Sequence, residues 1–208
     1  MDDEIRWREK TEWQNIWWEQ ANDIKVERIA LLGDSVTRGF RKNLNERMKG
    51  KYVVDLCASS SQITDPLLWK EYKFFLDCGE WNYNKIILQA GGQHGHVREC
   101  SKNENYLKLF KSSYRELIEK ILEYCPDILI VSFTPCVERE NLVKWDDEKN
   151  KEIEKRNQIT EEIANDFNIP YINIWGQLLD AKYEFKDSIH MREDGNNFIA
   201  EYLSKFLL

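Results

Sequence analysis

Five short apolar runs alternate along the chain with longer segments in which apolar residues recur every three or four positions. The runs cover residues 26–33, 52–57, 85–90, 127–134 and 171–175. Their cores read Ile-Ala-Leu-Leu, Val-Val-Asp-Leu, Ile-Ile-Leu, Ile-Leu-Ile-Val and Ile-Asn-Ile. Near-continuous apolar character with many β-branched residues is the pattern of strands covered on both faces. The segments between them predict helices over roughly 38–49, 66–77, 104–124, 147–167 and 193–207. In the third of these, Leu107, Leu109, Phe110, Tyr114, Leu117, Ile121 and Leu122 fall at helical spacing and define a face for burial.

Strand–helix alternation of this kind implies a parallel sheet with right-handed crossovers and helices on both sides. The expected fold is α/β: a three-layer α/β/α sandwich on a five-stranded parallel sheet, in flavodoxin-like order 2-1-3-4-5. Such a sheet gathers its binding residues at the carboxyl ends of the strands. No linker or repeat divides the chain, so residues 1–208 are expected to form one domain. Ahead of the first strand, a helix is expected at about 2–20 from the spacing of Trp7, Trp13, Trp17 and Trp18 among charged residues. Three roles stay open for these indoles: packing across the sheet or its edge, a homodimer contact, or a surface that stacks on sugars.

Charge narrows the function classes. A net charge of −7, with lysines and arginines interleaved with acids as in residues 148–156, leaves no basic patch for nucleic acid. No stretch approaches the ~18 apolar residues of a membrane span. The N-terminal Met-Asp-Asp-Glu lacks a signal-peptide pattern, and the expectation is a cytoplasmic protein. Five cysteines, at 57, 78, 100, 125 and 136, make an odd set without CxxC spacing, poor for a disulfide framework or a zinc site.

Two segments carry candidate chemistry. Gly33-Asp34-Ser35 follows the first strand and opens a helical pattern, which sets a hydroxyl at a strand's carboxyl end beside a helix N-terminus. Backbone N–H groups there lack intrahelical acceptors and suit a developing oxyanion. Ser35 could also be no more than the helix N-cap. Asp187-Ser188-Ile189-His190 follows the last strand and precedes the last helix, over the same edge of the sheet. A serine hydroxyl needs a base within hydrogen-bond reach, and an aspartate beside that histidine fixes its tautomer.

A Gly-Asp-Ser after the first strand together with Asp-x-x-His before the last helix resembles the first and last blocks of the SGNH/GDSL hydrolases, flavodoxin-like serine esterases, lipases and carbohydrate deacetylases. The resemblance implies a triad of Ser35, His190 and Asp187, and an oxyanion hole made by the Ser35 N–H and two further donors. The family's second block supplies a glycine N–H, and Ser60 falls nearest that position. Its third block reads Gly-x-Asn-Asp. Here the sequence is Gly91-Gly92-Gln93-His94, so Gln93 or His94 would take the asparagine's place. The implied reaction is hydrolysis of a small acyl ester, such as an O-acetyl group on a carbohydrate, through an acyl-enzyme and with no cofactor or metal. The partner is then a small-molecule or carbohydrate ester.

Two other readings compete. Departure from the second and third blocks would suit a binding protein that kept the fold and lost the chemistry. His94, His96 and His190 would suit a metal-dependent hydrolase, although no carboxylate or thiol pattern completes the set. Gly91-Gly92-Gln93-His94-Gly95 is neither GxGxxG nor a Walker loop.

Overall fold

The structure, a computed structural model, describes residues 11–79, 81–90, 104–180 and 183–208. In chain order the elements are β1 (Gln14–Trp17), β2 (Arg28–Gly33), α1 (Ser35–Arg47), β3 (Val53–Ser59), α2 (Pro66–Asp77), β4 (Lys85–Leu88), α3 (Glu104–Leu122), β5 (Ile128–Val131), β6 (Val137–Glu138), β7 (Asn141–Trp145), α4 (Asp147–Asp166), β8 (Tyr171–Ile172), α5 (Ile174–Leu179) and α6 (Glu193–Ser204).

The five expected strands form a parallel sheet in spatial order β3-β2-β4-β5-β8, the expected 2-1-3-4-5. Every residue of β2 is buried because both of its faces are covered. Ala30 and Leu32 pack with α2, α3 and α4, whereas Ile29 and Leu31 pack with α1, α5 and α6. This is the three-layer arrangement, with Ser35 at the carboxyl end of an inner strand.

A sixth strand corrects one expectation. Gln14–Trp17 is not helical but pairs antiparallel with β3, from Gln14 opposite Ser59 to Trp17 opposite Leu56. Ile16 and Trp18 pack on one side of the sheet and Trp13 on the other. Alternation buries apolar side chains on both sides of an edge strand, which a helix in this place would not do. The last strand is shorter than its apolar run, because the Asn173 side chain accepts the Gly176 N–H and starts α5.

Asp55, in the middle of apolar β3, pairs with Arg28 of β2. The contact is bidentate to one guanidinium nitrogen, at 2.9 and 3.1 Å, with both side chains fully buried. Arg28 also donates to the carbonyls of Glu19, Gln20 and Asp23, and Trp81 lies 3.8 Å from its guanidinium carbon. Asp55 accepts from the Glu19 N–H and the Tyr83 hydroxyl. The pair therefore fastens the turn between β1 and β2 to the sheet. Asp55→Ala would leave the guanidinium buried without its counter-charge, an expected loss of about 3–5 kcal/mol, measurable by denaturant unfolding.

Among the described residues, no helix is long and apolar enough to cross a membrane.

Candidate active site

Ser35 is the first residue of α1. Asp34, not Ser35, caps the helix: its side chain accepts the Val36 N–H at 2.9 Å. The Thr37 hydroxyl then donates to the Asp34 carbonyl at 2.6 Å. The turn before the cap requires glycine. A Cβ on Gly33 would lie 2.3 Å from the Thr37 methyl and 2.8 Å from the carbonyl oxygen of Gln89, just past neighbouring β4. Strand, glycine and cap together present the Ser35 hydroxyl at the sheet's edge with only 6% of the residue exposed.

The histidine arrives from the other end of the chain. A bridge between Phe185 and Met191 and the Lys186 N–H to His190 carbonyl bond, at 2.7 Å, close residues 186–190 into a tight loop. Within it the Asp187 carboxylate accepts the backbone N–H groups of Ile189 and His190 through one oxygen, each at 2.9 Å. Its other oxygen lies 2.8 Å from His190 Nδ1. His190 Nε2 is 2.6 Å from Ser35 Oγ. Burial alone would raise the Asp187 carboxyl, but the His190 backbone N–H, its imidazole and the Ile189 N–H together hold it below the ordinary carboxylate value.

That loop is braced from α4. Asn157 clamps Phe133, accepting its N–H at 2.7 Å and donating to its carbonyl at 3.3 Å. Asn150, two turns earlier on the same face, does the same to Cys136 at 2.8 and 2.9 Å. The segment so fixed leads into β6, where the Val137 N–H donates to the Ser188 carbonyl at 3.0 Å. Trp145, at the end of β7, meets Phe185 edge-on. Neither asparagine nor the β6–β7 hairpin stands out in the sequence. Their signal, two asparagines seven apart on a helix, acquires meaning only beside the loop they clamp.

The remaining expected site residues fare differently. Ser60 is near the site, but its N–H donates to the Trp13 carbonyl at 3.0 Å, extending the β1–β3 pairing. Its hydroxyl accepts the Trp13 N–H and donates to Glu12. Ser60 thus anchors the N-terminal strand through both its N–H and its hydroxyl. The next N–H, of Ser61, donates to Ser59 Oγ at 2.9 Å. Gln93, His94 and His96 lie outside the described residues. Both ring nitrogens of His190 are engaged by Ser35 and Asp187, so a metal would have to displace one of them. Among the described residues, no group of three or more His, Cys, Asp or Glu side chains converges to hold an ion.

Ser35, Arg38, Lys186, Asp187, His190, Met191 and Asn196 line a cavity of about 270 Å³. A larger cleft, about 490 Å³, lies at the opposite, amino ends of the strands around Val26 and Val53, away from this chemistry.

Comparison with known proteins identifies the fold and the family. Solved structures of the same fold include the acetyl xylan esterase AlAXEase, 17% identical, covering 87% of this chain and 100% of that one at a TM-score of 0.65. Axe2, an acetylxylan esterase from Geobacillus stearothermophilus, is 13% identical over 86% of this chain and 93% of its own, with a TM-score of 0.63. A lipase/acylhydrolase from Enterococcus faecalis is 12% identical over 87% and 95%, with a TM-score of 0.66. No curated protein sequence matches the chain. Residues 97–203, more than half the chain and including Asp187 and His190, match the GDSL-like lipase/acylhydrolase family. The chain belongs to that family and is a hydrolase of carboxylic esters.

Proposed function

We propose that Ser35, His190 and Asp187 form the catalytic triad of a serine esterase that cleaves small acyl groups. The observation that carries this reading is the continuous relay from Asp187 Oδ2 through His190 to Ser35 Oγ, with contacts of 2.8 and 2.6 Å. Ser35 attacks the ester carbonyl while His190 Nε2 takes its proton. Asp187 stays ionised, holds Nδ1 as the donor and stabilises the imidazolium. The tetrahedral oxyanion rests on the Ser35 N–H at the start of α1, with a further donor from the segment after β4. His190 then protonates the departing alkoxide, and water repeats the sequence on the acyl-enzyme. No cofactor takes part.

The substrate we favour is an O-acetyl group on a carbohydrate. The structural relatives named as acetyl xylan esterases support it. A fluorophosphonate probe should label the protein at Ser35 and nowhere in the Ser35→Ala variant. Labelling that persists in that variant would refute the assignment. Acetylated xylo-oligosaccharides should be cleaved faster than p-nitrophenyl esters of long acyl chains.

With the Ser60 N–H engaged by the Trp13 carbonyl, the donor after β4 gains weight. Gln93 takes this role, because an uncharged amide donates at any pH. Gln93→Ala is expected to lower kcat by about 10²-fold with little change in KM, since the bond forms mainly in the transition state. His94→Ala should do less. Steady-state kinetics of the two variants on p-nitrophenyl acetate decides between them.

A further inference from the structure

The cavity beside Ser35 holds two cations, Arg38 and Lys186, in a protein of net charge −7. Arg38 stands three residues beyond Ser35 on α1 and therefore on the same side of the helix. Lys186 comes from the loop of residues 186–190, next to Asp187, and lines the same cavity. Among the described residues neither makes an ion pair. The carboxylate in the lining, Asp187, already accepts two backbone N–H groups and the imidazole. By contrast, Arg41, in the groove that continues along α1 from Arg38, is compensated by Glu19.

Arg38 is also held in place. Its guanidinium carbon lies 5.0 Å from the centroid of the Trp13 ring. Trp13 in turn is fixed through its backbone on both sides by Ser60, which accepts its N–H and donates to its carbonyl. A long cationic side chain stacked on an indole loses less freedom when it meets an anion than an unsupported one does.

The position of the cations relative to the base decides which part of a substrate they meet. His190 lines this cavity and must protonate the leaving alkoxide, so the alcohol portion of the ester occupies it. The acyl group lies on the far side of Ser35. We propose that Arg38 and Lys186 select esters whose alcohol portion carries a negative charge (a carboxylate, sulfate or phosphate), seating that charge between them while the carbonyl faces Ser35. The assignment rests on the serine-esterase reading and narrows it from acetylated alcohols to acetylated anionic ones, such as esters of acidic sugars.

The test uses acetate esters of one phenol bearing a carboxylate, a sulfonate, a phosphate or a neutral carboxamide at the same ring position. The readout is the ratio of kcat/KM for each anionic ester to that for the neutral one, compared between the parent protein and its variants. Comparing ratios between proteins cancels the intrinsic reactivity of each ester. In the Arg38→Gln/Lys186→Gln double variant the ratio should fall at least about tenfold, chiefly through KM. Arg38→Lys should retain more of the preference than Arg38→Gln. Raising the ionic strength should lower the ratio in the parent and leave the double variant unmoved. The arm with the largest ratio identifies the anion. A ratio in the double variant within about twofold of the parent's, or a parent ratio indifferent to salt, overturns the proposal. Turnover of the neutral ester that survives Ser35→Ala would overturn the serine reading instead, so the two failures are told apart.

Discussion

Ser35→Ala is expected to reduce hydrolysis of p-nitrophenyl acetate by about 10⁴–10⁶-fold while leaving the far-UV circular dichroism unchanged. The loss is large because no other group in the described site can replace the nucleophile. The hydroxyl is the atom to which His190 Nε2 is directed, and Asp34 next to it is occupied as the helix cap. The fold should be indifferent, because the cap that starts α1 is Asp34, and alanine is well tolerated inside a helix. A variant that keeps more than a few per cent of the parent rate, with active-site titration excluding contamination, would mean that another residue attacks the ester.

Asp187→Asn should cost about 10⁴ in kcat, again with the fold retained. An asparagine oxygen can still accept the Ile189 and His190 N–H groups that shape the loop. What it removes is the negative charge that stabilises the imidazolium once His190 has taken the serine proton. The pH dependence separates the two partners. Asp187 is held below the ordinary carboxylate value in the folded protein, so its help is fully present above that value and is lost only as pH falls through the depressed one. A fall in kcat that sets in at the ordinary carboxylate value would show that Asp187 is not held down as the loop geometry requires. His190→Ala should remove most of the rate.

The strands were legible because burial on both faces leaves a continuous apolar run, as in β2, β3 and β5, whose residues are all buried. The sequence over β1 is ambiguous because Trp13 and Trp17 are four residues apart, and four is both near one helical turn and an even number. Such a pair shares a face in a helix and in a strand alike. The choice went to the strand because β3 offered an unpaired edge, which is a tertiary fact. The β6–β7 hairpin escaped for the opposite reason: its residues are largely exposed and make no apolar run. In the site, Ser35, Asp187 and His190 were legible because two short motifs fell at strand ends. Ser60 was not, because the partner that takes its N–H lies 47 residues earlier, in the segment read as a helix. Asp55 lay hidden in an apolar strand, its meaning given by Arg28 on the neighbouring one.

The separation of nucleophile and base along the chain has a consequence for the life of the nascent protein. Asp187 and His190 lie three residues apart and close their loop locally, whereas Ser35 is 155 residues from the histidine it must meet. Strand β2, the glycine turn and the start of α1 leave the ribosome long before the base has been polymerised. A chain interrupted anywhere in that interval displays a serine without its proton acceptor, and so cannot cleave esters around it. Esterase activity therefore appears late and all at once, when α6 docks on α1 and carries the histidine into reach. A translation-arrest series assayed with a fluorogenic acetate would show this as a step at that point.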